Sequence, residues 1–302
     1  MLSYLSKTSR LGRVNTGSVA QRLADTPGVA RTILDAARAA RGMPGADPRA
    51  MSHSWLFTGP PGSGRSLAAI DFAAALMCTD PEEPGCGKCE ACRAVLGTKQ
   101  HTDLVLVDPQ EVIIPVDTVR EVIGRAASLP TVAPWRVVIF NNADRLNNNG
   151  ANALLKTVEE PPARTVIIMC APSDAPEDFS QTLRSRCRHL FIPSPSVESI
   201  TAQLVSEGAS DHDAHLAALT SLRHVGRARR LVNDPAVQKR RAVAINLAEE
   251  VFHGSQGFQA VTSLLKLVDS EAKESHKEQE EAEVDHGPES APGIFPRSHI
   301  HA

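Results

Sequence analysis

The sequence predicts an α/β protein in which a parallel sheet carries a phosphate-binding turn and a small all-helical domain follows. Three observations carry that expectation. The stretch Gly59-Pro60-Pro61-Gly62-Ser63-Gly64-Arg65-Ser66 lies between the apolar run Trp55-Leu56-Phe57 and a helical run from Leu67 to Met77. Strand, glycine-rich turn and helix in that order form a phosphate cradle, with backbone N–H groups curled inward and the positive end of a helix behind them. The later apolar runs are uninterrupted and alternate with helical stretches, as in a parallel sheet covered on both faces. From Ser196 onward the strand signal disappears.

The turn matches G-x-x-x-x-G-K-[ST] at Gly59, Gly64 and Ser66, with Gly62 between them, but Arg65 stands where lysine is required. Lysine delivers a slim point charge to a phosphate, whereas guanidinium is a broad planar fork, so the exchange is not conservative. The plainer reading is a glycine turn with no nucleotide chemistry. The strand and helix on either side favour a nucleotide-type cradle, and whether it still holds ATP stays open.

The chain has 302 residues, long enough for two domains and a fragment of a third. A net charge of −3 gives no global basic field, so any nucleic-acid contact must be local. No apolar run approaches the roughly 18 residues that span a bilayer, which predicts no membrane partner. The segment Met1–Arg10 lacks the apolar core of a signal peptide, which places the protein in the cytoplasm.

Residues 1–17 read as a disordered leader and 18–193 as the sheet domain. Helical spacing runs from Val19 to Ala40 with a turn expected at Pro27-Gly28. Strands are expected at Asp103–Val107, Arg136–Phe140, Thr165–Cys170 and Arg188–Ile192. Between them, helices are expected at Val116–Leu129, opened by Asp117, at Gly150–Glu160, stopped by Pro161-Pro162, and at Pro176–Arg186. Helices at Val197–Ser206, Asp213–Leu222 and Gly226–Asn233 make a lid domain over 194–236. Val237–Val251 and Phe258–Val268 form a partial helical segment over 237–270. The charged run from Glu271 to Glu283 and the Gly-, Pro- and His-containing remainder predict a disordered tail over 271–302.

Cys78, Cys86, Cys89 and Cys92 follow the spacing C-x7-C-x2-C-x2-C among Pro81, Pro84, Gly85 and Gly87. In a reducing compartment clustered cysteines are metal ligands rather than disulfides. Four thiolates complete a tetrahedral Zn²⁺ and leave no open position, so the expected zinc is structural, pinning a loop with no core of its own. The alternative is four buried cysteines close together by coincidence. Cys170 and Cys187 lie elsewhere and are expected to be unliganded.

A nucleoside triphosphatase needs acidic residues at the end of the strand Arg136–Phe140, one for Mg²⁺ and one for water. Here the strand ends Asn141-Asn142-Ala143-Asp144. Amides cannot replace those carboxylates. Asp144 is either a displaced carboxylate or, on the plainer reading, a cap for the next helix.

The phosphate turn, the four-cysteine insert, Asn152-Ala153-Leu154-Leu155-Lys156-Thr157-Val158-Glu159-Glu160-Pro161-Pro162 and Ser185-Arg186-Cys187 together resemble bacterial clamp-loader subunits of DNA polymerase III, members of the AAA+ family. The resemblance covers roughly residues 20 to 265. Within that group the altered turn and the acid-free strand are similar to the delta-prime type and unlike the gamma/tau ATPase. Ala171-Pro172 stands where an active relative carries a polar sensor. The resemblance implies that Arg186 reaches into the ATP site of a neighbouring gamma/tau subunit as an arginine finger. The plainer reading is a solvated basic stripe of Arg184, Arg186 and Arg188. Arg229, in Gly226-Arg227-Ala228-Arg229, resembles a second sensor that would face bound phosphates; otherwise it is a surface helix charge. Gamma/tau and delta subunits are the implied partners, with the sliding clamp and primed DNA met through the complex. The family continues into a helical collar that is truncated or too small here. An active gamma/tau-type ATPase with a modified loop is the alternative function.

Overall fold

The computed structural model describes residues 17–109 and 112–252, with five positions between 261 and 269. The expected leader, save its last residue, the tail over 271–302 and most of Phe258–Val268 lie outside the described residues. Five strands form one sheet: β1 (Ser54–Thr58), β2 (Leu104–Val107), β3 (Arg136–Phe140), β4 (Thr165–Ala171) and β5 (Arg188–Phe191). The helices are α1 (Val19–Arg22), α2 (Pro27–Ala40), α3 (Arg65–Met77), α4 (Glu90–Arg93), α5 (Val116–Ala126), α6 (Asn148–Glu159), α7 (Gln181–Arg184), α8 (Val197–Ser206), α9 (Asp211–Thr220), α10 (Val225–Asn233) and α11 (Pro235–Phe252). The chain divides into two compact units after Val232, so α11 belongs to the second.

All four strand pairings are parallel, in the order β2-β3-β4-β1-β5. Alternate residues of β1 to β4 enter opposite cores, which is why those strands read as unbroken apolar runs, whereas edge strand β5 is only partly buried. Trp55, Phe57, Val137, Ile139, Val166 and Ile168 pack with α2, α3 and the cysteine segment. Leu56, Val138, Phe140, Ile167 and Met169 pack with α5 and α6. From Ala68 to Met77 every residue of α3 is buried, as expected for a helix enclosed on all sides.

Several local expectations are corrected. The break near Pro27 falls earlier, at 23–26, and Pro27 is the first residue of α2. Proline is favoured there because its missing N–H would have no helical partner. Pro115 rather than Asp117 precedes α5, and Asp117 sits in its first turn with no capping bond. The helix expected over Pro176–Arg186 shrinks to α7. Ser173 Oγ donates to Asp178 at 2.7 Å and accepts from Ala175 N at 3.1 Å, side-chain bonds that compete with helix formation. Asp144 is exposed in a single 3₁₀ turn. The cap of α6 is Asn147, which accepts Gly150 N at 2.8 Å.

Asp103, fully buried before β2, ties the sheet to the loop ahead of β3. Its carboxylate accepts from the backbone N–H of Thr131, Val132 and Ala133 at 2.8–2.9 Å and from Arg136 at 3.0 Å. Burial alone would raise its pKa, but these donors outweigh it and hold the carboxyl well below the usual carboxylate range. A depressed folded pKa contributes stability that is present above the unfolded value, about 3.9, and is lost as pH falls through the folded one. Asp103→Ala should therefore lower the urea-unfolding free energy by about 3–5 kcal/mol at neutral pH, because Arg136 is left buried and unpaired. The same variant should lose less stability than the parent when pH drops below about 4.

Candidate functional site

The glycine turn joins β1 to α3, and Gly62 and Gly64 take left-handed φ values of 85° and 90°. Side chains of this molecule lie against part of the cradle. Arg65 turns back to donate to Gly59 O at 2.6 Å instead of pointing outward. His224, from the turn between α9 and α10, lies against Gly62 so closely that a Cβ there would collide with its ring and backbone. Two successive non-glycine residues in the left-handed region, Leu222 at 54° and Arg223 at 63°, bring the chain to that point. Each costs about 1–2 kcal/mol. Backbone bonds from Leu222 to Leu219 (3.1 Å) and from Arg223 to Ala218 (3.2 Å) hold the turn.

His224 Nδ1 accepts from Arg227 N at 3.3 Å. Burial, then the charges of Arg227, Arg230 and Arg65, push the imidazole below its ordinary pKa, so it faces the loop uncharged at neutral pH. Two buried acceptors, Ser63 Oγ in the turn and Asn141 Oδ1 at the end of β3, have no hydrogen-bond partner among the described residues. Asn142 adopts a left-handed φ of 53° just beyond. An amide stands where the carboxylate that would hold Mg²⁺ is expected, and His224 covers Gly62 while Gly64 faces open space. With no carboxylate at the end of β3, the site does not fit a magnesium ion.

Arg229 forms a two-pronged ion pair with Glu207, at 2.8 and 2.6 Å, within the helical domain. It is therefore His224 that meets the loop. Ser66 lies in the first turn of α3.

Arg184, Arg186 and Arg188 each have a separate partner. Arg184 pairs with Asp174 at 3.0 Å. Arg188 lies 4.9 Å over the Trp55 ring and donates to the carbonyls of Arg49 and Ala50. Arg186, in the turn after α7, pairs with Glu159 at the end of α6 and donates to Thr182 O at 2.8 Å. About a third of its side chain is exposed.

The four cysteines converge, with all four sulfurs within 4.8 Å of one another and Cys89 and Cys78 at 3.9 Å. Sulfurs about 2.3 Å from a common centre stand about 3.8 Å apart at tetrahedral corners, so the cluster has metal-ligand dimensions. Gly87, at φ 72°, curls the chain so that Lys88 N and Cys89 N both donate to Cys86 Sγ at 3.4 Å. Cys92 N donates to Cys89 Sγ at the same distance. Such donors favour thiolate over thiol. Hydrogen bonding from Cys92 lowers Cys78 to about 4. Cys170 and Cys187 lie outside the cluster, and burial pushes each thiol up to about 12.

His224, Glu207 and the pairing role of Glu159 are not apparent from the sequence. The histidine's position just ahead of Gly226-Arg227 is its one local signal.

The fold and the site define a parallel α/β protein of the AAA+-like class, carrying a cysteine cluster able to hold a metal. The family model described as "DNA polymerase III, delta subunit" matches residues 46–196, half of the chain, and the chain belongs to that family of clamp-loader proteins. It is 35% identical over 165 residues to DNA polymerase III subunit delta' of Pseudomonas aeruginosa, covering 52% of this chain and 49% of that one. To subunit delta' of Bacillus subtilis it is 28% identical over 207 residues, covering 68% and 61%. To subunit gamma/tau of Mycobacterium tuberculosis (strain H37Rv) it is 33% identical over 174 residues, covering 56% and 30%. The chain thus spans about half the length of the delta' relatives and less of gamma/tau. No helix among the described residues is long and apolar enough to cross a membrane.

Proposed function

We propose that this chain serves as a delta-prime-like subunit of the DNA polymerase III clamp loader, one that does not hydrolyse ATP and lends Arg186 to the ATP site of an adjoining gamma/tau subunit. The state of the cradle carries the reading. Arg65 is folded onto Gly59 O, His224 covers Gly62, and β3 ends in amides. Similarity alone does not separate delta' from gamma/tau, since both kinds of relative match at about the same identity. The chemistry of this pocket favours the delta' reading.

In that role Arg186 stands at the surface, oriented by Glu159 and Thr182, where a neighbour's γ-phosphate can reach its guanidinium. The four cysteines hold a structural zinc that fixes the insert between α3 and β2. The sheet domain over 18–193 and the lid over 194–236 act as a rigid partner, with 237–270 as the collar-side attachment. Gamma/tau and delta subunits are the direct partners in the cytoplasm, and the sliding clamp and primed DNA are engaged through the complex.

The purified chain should turn over no ATP above a protein-free background and retain no ATP analogue in equilibrium dialysis. It should nonetheless join gamma/tau and delta in a complex that loads the clamp onto primed DNA. ATP turnover by the isolated chain that disappears on Arg65→Ala would instead establish an active ATPase of the gamma/tau type.

A further inference from the structure

β2 is an edge strand, paired with β3 alone. Asp103 O and Val107 O accept from Val137 N and Asn141 N, each at 2.9 Å, so the odd-numbered residues bond to β3. By the alternation of a parallel ladder, Leu104 and Leu106 turn their backbone groups the other way. Leu104 N is used locally, on His101 O at 2.9 Å. The N–H and C=O of Leu106 and the C=O of Leu104 face outward. Exposed edges of this kind are templates for an added strand.

This edge is recessed. A cavity of about 840 Å³ runs along Leu104–Leu106, walled on one side by α4 and the turn after it, and on the other by Arg125 and the exposed Val132. A second cavity, of about 390 Å³, continues along Val105–Val107 beside α5. Small residues, Ala91 and Ala94, leave room on the cysteine-segment side.

The larger cavity is lined with uneven charge. Lys99 and Arg125 both line it, and neither pairs with a carboxylate among the described residues. Lys99 is held in a left-handed turn at φ 56°. His101 Nδ1 accepts from Asp103 N at 3.0 Å, which leaves Nε2–H as a further donor. Among the described residues Glu90 is the one carboxylate on that lining, and Asp108 and Glu121 line the smaller cavity, so the cationic stretch is confined to the larger one.

We infer that the β2 edge is a docking groove for an extended, carboxylate-bearing segment of a partner protein, which adds to the sheet as a sixth strand. Main-chain bonds to Leu104 and Leu106 supply the attachment, and Lys99, Arg125 and His101 select the acidic side chains. This groove is separate from the cradle and from Arg186, so the inference stands independently of the proposed function.

The test is fluorescence anisotropy on the full chain with five labelled probes. These are a short peptide of alternating Asp and Val, its Lys/Val counterpart, the Asp/Val peptide N-methylated at alternate amides in each register, and oligo-dT. The Asp/Val peptide should bind, with the Lys/Val peptide and one N-methylated register each about tenfold weaker or more. The Lys99→Glu/Arg125→Glu double variant and Leu106→Pro should weaken the Asp/Val peptide to the same degree. Proline is tolerated where an edge N–H faces outward, and circular dichroism checks that both variants keep the parental fold. Failure of the Asp/Val peptide to bind would overturn the inference. So would equal binding of both N-methylated registers, which excludes strand addition, or equal binding of oligo-dT, which reduces the groove to a general cationic patch.

Discussion

On the proposed function, replacing Arg186 with alanine in a reconstituted clamp loader should lower ATP turnover at the adjoining gamma/tau site by a factor on the order of 10³–10⁵, the range spanned by arginine fingers. Total turnover should fall by that site's share. Assembly survives, because Arg186 is a partly exposed residue whose bonds go to Glu159, Thr182 O and Ser185. An exposed ion pair contributes roughly 0–1 kcal/mol, too little to unfold the domain. Arg186→Lys should rescue poorly, since an ammonium cannot present the planar fork that matches phosphate oxygens. The decisive measurement is single-turnover hydrolysis in a complex with only that gamma/tau site competent. An unchanged rate with intact assembly would remove Arg186 from the role.

Zinc content of the purified chain should be one per molecule and drop to none in Cys86→Ser or Cys89→Ser. Metal binding to thiolates is coupled to folding and amounts to about 10–16 kcal/mol in small zinc modules. The cost to this chain is smaller, because the insert also packs against α3 and α1: Cys92 Sγ lies 3.6 Å from Ala74 O, and Val19 N donates to Gly85 O at 2.8 Å. Chelation at neutral pH should therefore melt the insert and lower the thermal midpoint while the sheet persists, visible as rapid reaction of four thiols that the metal had protected. Affinity should fall with acidity, since each ligand must lose a proton. A folded, zinc-free chain with four reactive thiols and an unchanged midpoint would dispose of the metal centre.

Most strands were legible within a residue or two because each is buried on both faces and written as an unbroken apolar run. Arg136–Phe140 has the same bounds in the structure as in the sequence reading. The segment before Arg186 was misread as one helix because Ser173, Asp178 and Gln181 spend their side chains on local backbone and on one another, which periodicity does not report. The buried network of Asp103 and Arg136 was also invisible, since nothing local marks either as interior.

The cysteine quartet, the arginine in place of lysine and the amides after β3 belong to the sequence alone: each is a matter of which atoms a short segment offers, and folding does not change their chemistry. What lies against Gly62 was decided by the tertiary structure. His224 reaches Gly62 only because the helical domain sits over the glycine turn, and Arg229 is drawn to Glu207 by the packing of α8 against α10. The open edge of β2 exists for the same kind of reason, since strand order depends on how distant runs pair and no single run encodes it. Contacts between residues far apart in the chain are set by the relative placement of whole elements, and that placement is a sum over the core rather than a property of any motif.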